Sequence, residues 1–163
     1  MSTLIDSLSE SQYGDYWYLS ADIGNNEYLS LGESFLATST YIVLDKAKFY
    51  LCKYGSPTGN VYAKIYNASG VSGVSALPLG DYLAISDPLN VETLVATPFE
   101  LITFTFTGLN KITLIPGNTY IIAIEYASGN ASNDVVVGFS SPSSTFDGNA
   151  CRFTTGWEVG GPS

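Results

Sequence analysis

Carboxylates, phenols and thiols are the reactive side chains of this chain. It carries 15 Asp and Glu, 12 Tyr and 2 Cys, and no His. Without histidine there is no imidazole general base, no imidazole metal ligand and no Ser-His-Asp triad. No phosphate-binding loop, zinc-ligand spacing or nucleophile elbow occurs. A glycosidase needs two carboxyl groups facing each other across a cleft. The acids here stand beside turns or on alternating polar faces, and no spacing pairs them. The chain is therefore read as a non-enzyme.

Binding chemistry is better represented. Sugar rings stack on exposed aromatic faces flanked by amides and carboxylates, and Trp17, Tyr54, Tyr62, Tyr66 and Trp157 are the candidates for such contacts, with glycans or with protein partners. Tyr62, Lys64 and Tyr66 alternate with Val61, Ala63 and Ile65. That pattern yields either an exposed aromatic stripe or a row covered by cross-strand packing or by another subunit. Asp134, Asp147 and Asn149 sit in late loops whose oxygens suit a structural calcium ion, although the same residues serve equally as turn formers. No other cofactor is expected. Cys52 and Cys151 make either one long-range disulfide, worth roughly 2–4 kcal/mol, or two buried free thiols. Two glycosylation sequons, Asn67-Ala68-Ser69 and Asn130-Ala131-Ser132, read as turn residues.

Charge narrows the partners. The formal net charge is −9, with 6 Lys and Arg. A nucleic-acid surface calls for a basic stripe, so nucleic acid is not an expected partner. Met1–Gln12 has neither the basic nor the apolar region of a secretory signal. No apolar run approaches the roughly 20 residues of a membrane span.

The elements that must position these groups read as strands. The 163 residues suit one domain: an arm at 1–14, with Leu4, Ile5 and Leu8 on one helical face as assembly candidates, and a β domain at 15–163. Tyr16–Leu19 and Glu27–Ala37 are strand candidates, and Tyr41–Tyr54 is the longest. The turn-forming Gly55–Asn60 follows, then the alternating Val61–Tyr66, so the pair reads as an antiparallel hairpin. Asn67–Pro98 reads as connection, with a short strand at Tyr82–Ser86. In Phe99–Thr107, Ile102, Phe104 and Phe106 share one face. Thr119–Ala127 is apolar on both faces, as in a central strand. Asp134–Phe139, Ala150–Thr154 and Trp157–Val159 close the count at eight to ten. This predicts an all-β fold, a two-sheet antiparallel sandwich with long crossings of the jelly-roll kind.

Lys48–Tyr66, with Phe104-Thr105-Phe106-Thr107-Gly108, Pro116-Gly117-Asn118-Thr119-Tyr120, Ile124-Glu125-Tyr126, Gly148-Asn149 and Trp157 following in order, resembles the choice-of-anchor-type β-sandwich module of bacterial surface proteins and phage virion proteins. The resemblance implies a jelly-roll-like, non-enzymatic sandwich carried on a larger assembly. The expected role is a structural or decorating subunit of an extracellular particle: a phage head-decoration or tail-associated protein, homo-oligomeric or bound to other virion subunits, at the particle surface. The alternative is a carbohydrate-binding adhesion module.

Overall fold

Side chains alternate across a strand, so each apolar-polar pair decides which face turns inward. In the computed structural model, which describes residues 13–23, 27–37, 40–140 and 148–160, that rule builds fourteen strands and no α-helix among the described residues. They are β1 (Tyr13–Leu19), β2 (Glu27–Tyr28), β3 (Ser30–Leu36), β4 (Ile42–Leu44), β5 (Lys46–Tyr54), β6 (Asn60–Ser69) and β7 (Leu77–Ile85). After them come β8 (Leu89–Asn90), β9 (Glu100–Thr105), β10 (Ile112–Leu114), β11 (Thr119–Glu125), β12 (Asp134–Ser140), β13 (Ala150–Phe153) and β14 (Trp157–Val159). No helix among the described residues is long and apolar enough to cross a membrane.

One sheet has the order β2-β1-β12-β5-β9. The other runs β14-β13-β3-β11-β6-β7, with β8 also paired to β6, and β4 and β10 form a separate ribbon. All pairings between these strands are antiparallel except β1 with β2. Early strands pair with late ones, β1 with β12 and β3 with β11. Apart from β6 and β7, which are neighbours in one sheet, successive long strands cross between the sheets. The result is an antiparallel ribbon rolled around one core, a jelly-roll sandwich.

Both sheets fill that core. Trp17, Leu19, Leu51, Phe104, Val135 and Val137 come from the five-stranded sheet, and Leu31, Phe35, Val61, Ala63, Ile65, Tyr120 and Ile124 from the other. The expected alternation in Phe99–Thr107 holds, with Ile102, Phe104 and Phe106 turned to the core. The doubly apolar segment is central as well. β11 lies between β3 and β6, and its other face, Ile121 and Ala123, joins a second cluster with Tyr66, Ala76 and Cys151.

The expected hairpin is not formed. β5 and β6 lie in different sheets, and Gly55–Asn60 carries the chain across the sandwich. Ala47, Phe49 and Leu51 face Val61, Ala63 and Ile65 through a shared core. Alternation identifies inward residues equally well in a hairpin and in an inter-sheet arch. The arch is held by its surroundings. The Ser56 amide donates to Asn133 Oδ1 at 2.8 Å, and the Tyr126 hydroxyl donates to the Thr58 carbonyl at 2.8 Å.

Three further expectations change. Glu27–Ala37 breaks at Leu29, sending β2 and β3 to different sheets, and Tyr41–Tyr54 breaks at Asp45. The supposed connection after Asn67 holds the nine-residue β7. Pro78 and Gly80 argue against a strand there, but β7 pairs only with β6, at the edge of its sheet, where both residues are tolerated.

Gly55 has φ +68°, and a Cβ on it would meet the Ser132 carbonyl oxygen and Asn133 Oδ1. Gly55→Ala should therefore destabilise the fold by about 2–4 kcal/mol, read as a lower urea midpoint with an unchanged m-value.

Candidate binding face

β1 divides its aromatic side chains between two surfaces. Trp17 and Leu19 enter the core, so Tyr16 and Tyr18 point out of the five-stranded sheet. By the same parity β5 buries Leu51 inward and turns Tyr50, Cys52 and Tyr54 outward, and Leu101 of β9 lies opposite Tyr50. Between them β12 presents only Gly138, opposite Tyr16, and Val136, opposite both Tyr18 and Cys52. This low floor lets the flanking rings meet across it.

The result is a continuous aromatic face. Tyr16 and Tyr18 pack edge to face with ring centroids 5.7 Å apart and Tyr18 and Tyr54 at 6.0 Å, while Phe99 lies tilted against Tyr16 at 6.4 Å. Tyr16, Tyr54 and Leu101 are 50%, 54% and 46% exposed, so the face is open at its rim. Partial burial, the neighbouring Tyr16 and a hydrogen bond with it raise the Tyr18 phenol above its ordinary pKa, keeping it neutral in any physiological medium. On the outward rows of β5 and β12 charge enters at Lys46 and Lys48, both exposed, and at Asp134, buried at the start of β12.

Of the aromatic residues singled out from sequence, Tyr54 alone belongs to this face. Trp17 is 6% exposed, on the core side of β1, with Tyr28 at 5.0 Å and the Arg152 guanidinium 5.8 Å from its ring. It cannot stack on a ligand. Tyr66 is 7% exposed on the exterior of the other sheet, packed edge to face with Trp157 at 5.7 Å. Trp157 is half-buried there and also contacts Phe153. Tyr62 lies beside Glu125 and is half-buried. Of the expected stripe, Tyr66 is thus covered by the Trp157 side chain from the edge of the same sheet, which lids the apolar exterior there.

Asn149 fastens that lid. Its Oδ1 accepts from Ser34 Oγ at 3.0 Å and from the Ala76 amide at 3.1 Å, and its Nδ2 donates to the Ala76 carbonyl at 2.9 Å. Its side-chain groups serve this clasp rather than a metal. Asn149 precedes β13 of one sheet whereas Asp134 begins β12 of the other, and Asp147 lies outside the described residues, as do Leu4, Ile5 and Leu8. Among the described residues no three His, Cys, Asp or Glu are placed to hold a metal.

The disulfide does not form either. Cys52 is on the exterior of one sheet, beside Val136, and Cys151 on the exterior of the other, against Ile121. Both are buried free thiols. Burial pushes Cys52 up to about 11, and burial together with Glu33 pushes Cys151 up to about 12. Asn130 of one sequon accepts from the Ser132 amide, as a turn residue does.

Tyr16, Tyr18, Phe99 and Leu101 were not among the sequence candidates. Alternation in Tyr16-Trp17-Tyr18-Leu19 already separates the two tyrosines from the core pair. What joins them to Tyr54 and Phe99 is strand order, which no local pattern carries.

Two outcomes follow. Neither thiol should react with a water-soluble disulfide reagent at pH 8 in the native protein, both should react in denaturant, and reducing agent should leave the melting temperature unchanged. Asn149→Ala should lower stability by about 2–4 kcal/mol in chemical denaturation.

Comparison with known proteins finds no matching family model, no matching curated protein and no matching solved structure, so the face must be interpreted from its own chemistry.

Proposed function

We propose that this chain is a non-catalytic decorating subunit of an extracellular particle, of the phage-virion kind, acting through protein–protein contacts made by the aromatic face. One observation carries the reading: Tyr16, Tyr18, Tyr54 and Phe99 form a linked array of uncharged rings on the open side of the five-stranded sheet, with Leu101 exposed on the same side. Protein-contact cores are rich in tyrosine and other aromatics and depleted of charge, and a contiguous exposed apolar patch marks an interaction site. The net charge of −9 keeps such a subunit soluble before assembly. The resemblance to surface and virion modules agrees with this role.

Packing favours protein over glycan at this face. A pyranose needs a free ring face. In the Tyr16–Tyr18 and Tyr18–Tyr54 pairs, interplanar angles of 84° and 77° mean that one ring's edge already occupies its neighbour's face.

Self-association of the isolated protein is the accessible test, because subunits of symmetric particles commonly contact their own copies. Light scattering coupled to size exclusion should show an oligomer that dissociates at least about tenfold more readily in Tyr16→Ser and Tyr54→Ser, one decade being about 1.4 kcal/mol. Both positions are exposed, so melting temperatures should stay near wild type. A protein that remains monomeric at millimolar concentration, or variants that assemble like wild type, would count against the reading. Binding on a glycan array lost in the same variants would move it to adhesion.

A further inference from the structure

The aromatic face ends on a buried acid. Asp134 is the first residue of β12, opposite Tyr54 of β5, and is 1% exposed. Along β12 its neighbour Val135 pairs with Leu19, which brings Ser20 alongside the carboxyl group. Ser20 is itself fully buried. The Ser20 hydroxyl lies near enough to Asp134 to act on its pKa, and it accepts from the Asp22 amide at 3.1 Å. The Asp134 carboxyl oxygen Oδ1 is buried and has no hydrogen-bond partner among the described residues.

The groups around this oxygen are neutral or acidic. β1 supplies Tyr18, the turn after it Asp22, β2 Glu27, β5 Tyr54 and β11's end Tyr126. The one base on these adjoining elements close in register is Lys53, opposite Val135, and its ammonium donates to the Glu92 carbonyl at 2.6 Å instead. A buried carboxylate with one empty oxygen, two like charges nearby and no cation opposite is unfavourable when ionised. Protonation removes the charge and turns the carboxyl into a donor.

We infer that Asp134 is a proton-operated latch, which holds the short β2 and residues 20–22 in place at the edge of the aromatic face when protonated and loosens them when ionised. β2 is the natural moving part. It is two residues long, pairs among the described strands only with β1, and carries Glu27 beside Tyr18. The Ser20 amide, which donates to the Tyr28 carbonyl at 2.9 Å, ties the turn to it.

Burial, helped by Glu27 and Asp22 and opposed by the Ser20 hydroxyl, pushes the Asp134 carboxyl up to about 6 from an ordinary 3.8. The folded protein then keeps a proton that the unfolded chain releases between those values. The stabilisation is complete below pH about 4 and is lost as pH rises through about 6. The face is thus tightest in mildly acidic surroundings.

Carboxyl-carbon NMR titration of the intact chain should give Asp134 a midpoint near pH 6; a midpoint below about 4.5 overturns the latch. Native-state hydrogen exchange at the Ser20 amide, corrected for intrinsic rates, should be between about tenfold and a hundredfold slower at pH 4.5 than at pH 7.5, the ceiling set by two units of pKa shift. In Asp134→Asn it should be slow at both. An unchanged pH dependence in that variant overturns the proposal. Glu27→Gln and Asp22→Asn, at less buried positions, should each lower the midpoint in an otherwise native protein, and a midpoint that neither moves also overturns it. A midpoint abolished by millimolar calcium would assign Oδ1 to a cation instead. No readout requires a partner, so the latch and the assembly reading stand or fall separately.

Discussion

β11 is the strand on which the sandwich depends, because it must be buried on both faces. Ile124 points into the main core and Ile121 and Ala123 point out of the sheet, all fully buried. A strand of this kind is stable only with ladders on both edges and cover on both sides. β3 and β6 supply the ladders, and the five-stranded sheet supplies one cover. The other cover is made by the segment around Ala76, β13 and Trp157, packed on Ile121, Ala123 and Tyr66. Gly32 permits the close fit, since a Cβ there would press on Ile121 and on the Cys151 thiol.

That requirement makes the two exteriors unequal. The seven-stranded sheet turns Cys151 and Trp157 of its own edge strands, together with the Asn149 clasp, onto its outer face. The five-stranded sheet has no such lid among the described residues. Its exterior is left as Tyr16, Tyr18, Tyr54, Phe99 and Leu101, held in a shallow array by the small residues of β12. The open face therefore follows from how one central strand had to be covered. A jelly roll serves many roles, so the functional reading rests on this face and not on the topology.

The same asymmetry explains the polar anomalies. Asn149 and Ser34 are buried polar groups with their hydrogen bonds made to one another and to Ala76, and they fasten a structure that must stay shut. Asp134 is a buried polar group left incomplete, at the margin of the face that stays open. A satisfied network gives rigidity, whereas an unsatisfied acid makes stability depend on protons.

Sequence alone determined the facing of residues and the class of fold. Period-two alternation identified the inward rows Ile102, Phe104, Phe106 and Val61, Ala63, Ile65, and unbroken apolarity identified β11 as central. These are local consequences of strand geometry and of what water will tolerate. Composition also pointed toward binding, through a histidine-free, aromatic-rich chain. Pairing was decided only by the tertiary structure. Gly55–Asn60 suits a hairpin and an arch equally, and packing across a shared core chose the arch. β7 formed despite Pro78 and Gly80 because an edge strand leaves one row of backbone groups unpaired. The fate of each aromatic followed from strand order. Trp17 and Tyr66 were covered, while Tyr16 and Tyr54, far apart in sequence, were brought to one surface. Alternation assigns a residue to a side of its strand; only the assembled sheets decide what, if anything, lies over that side.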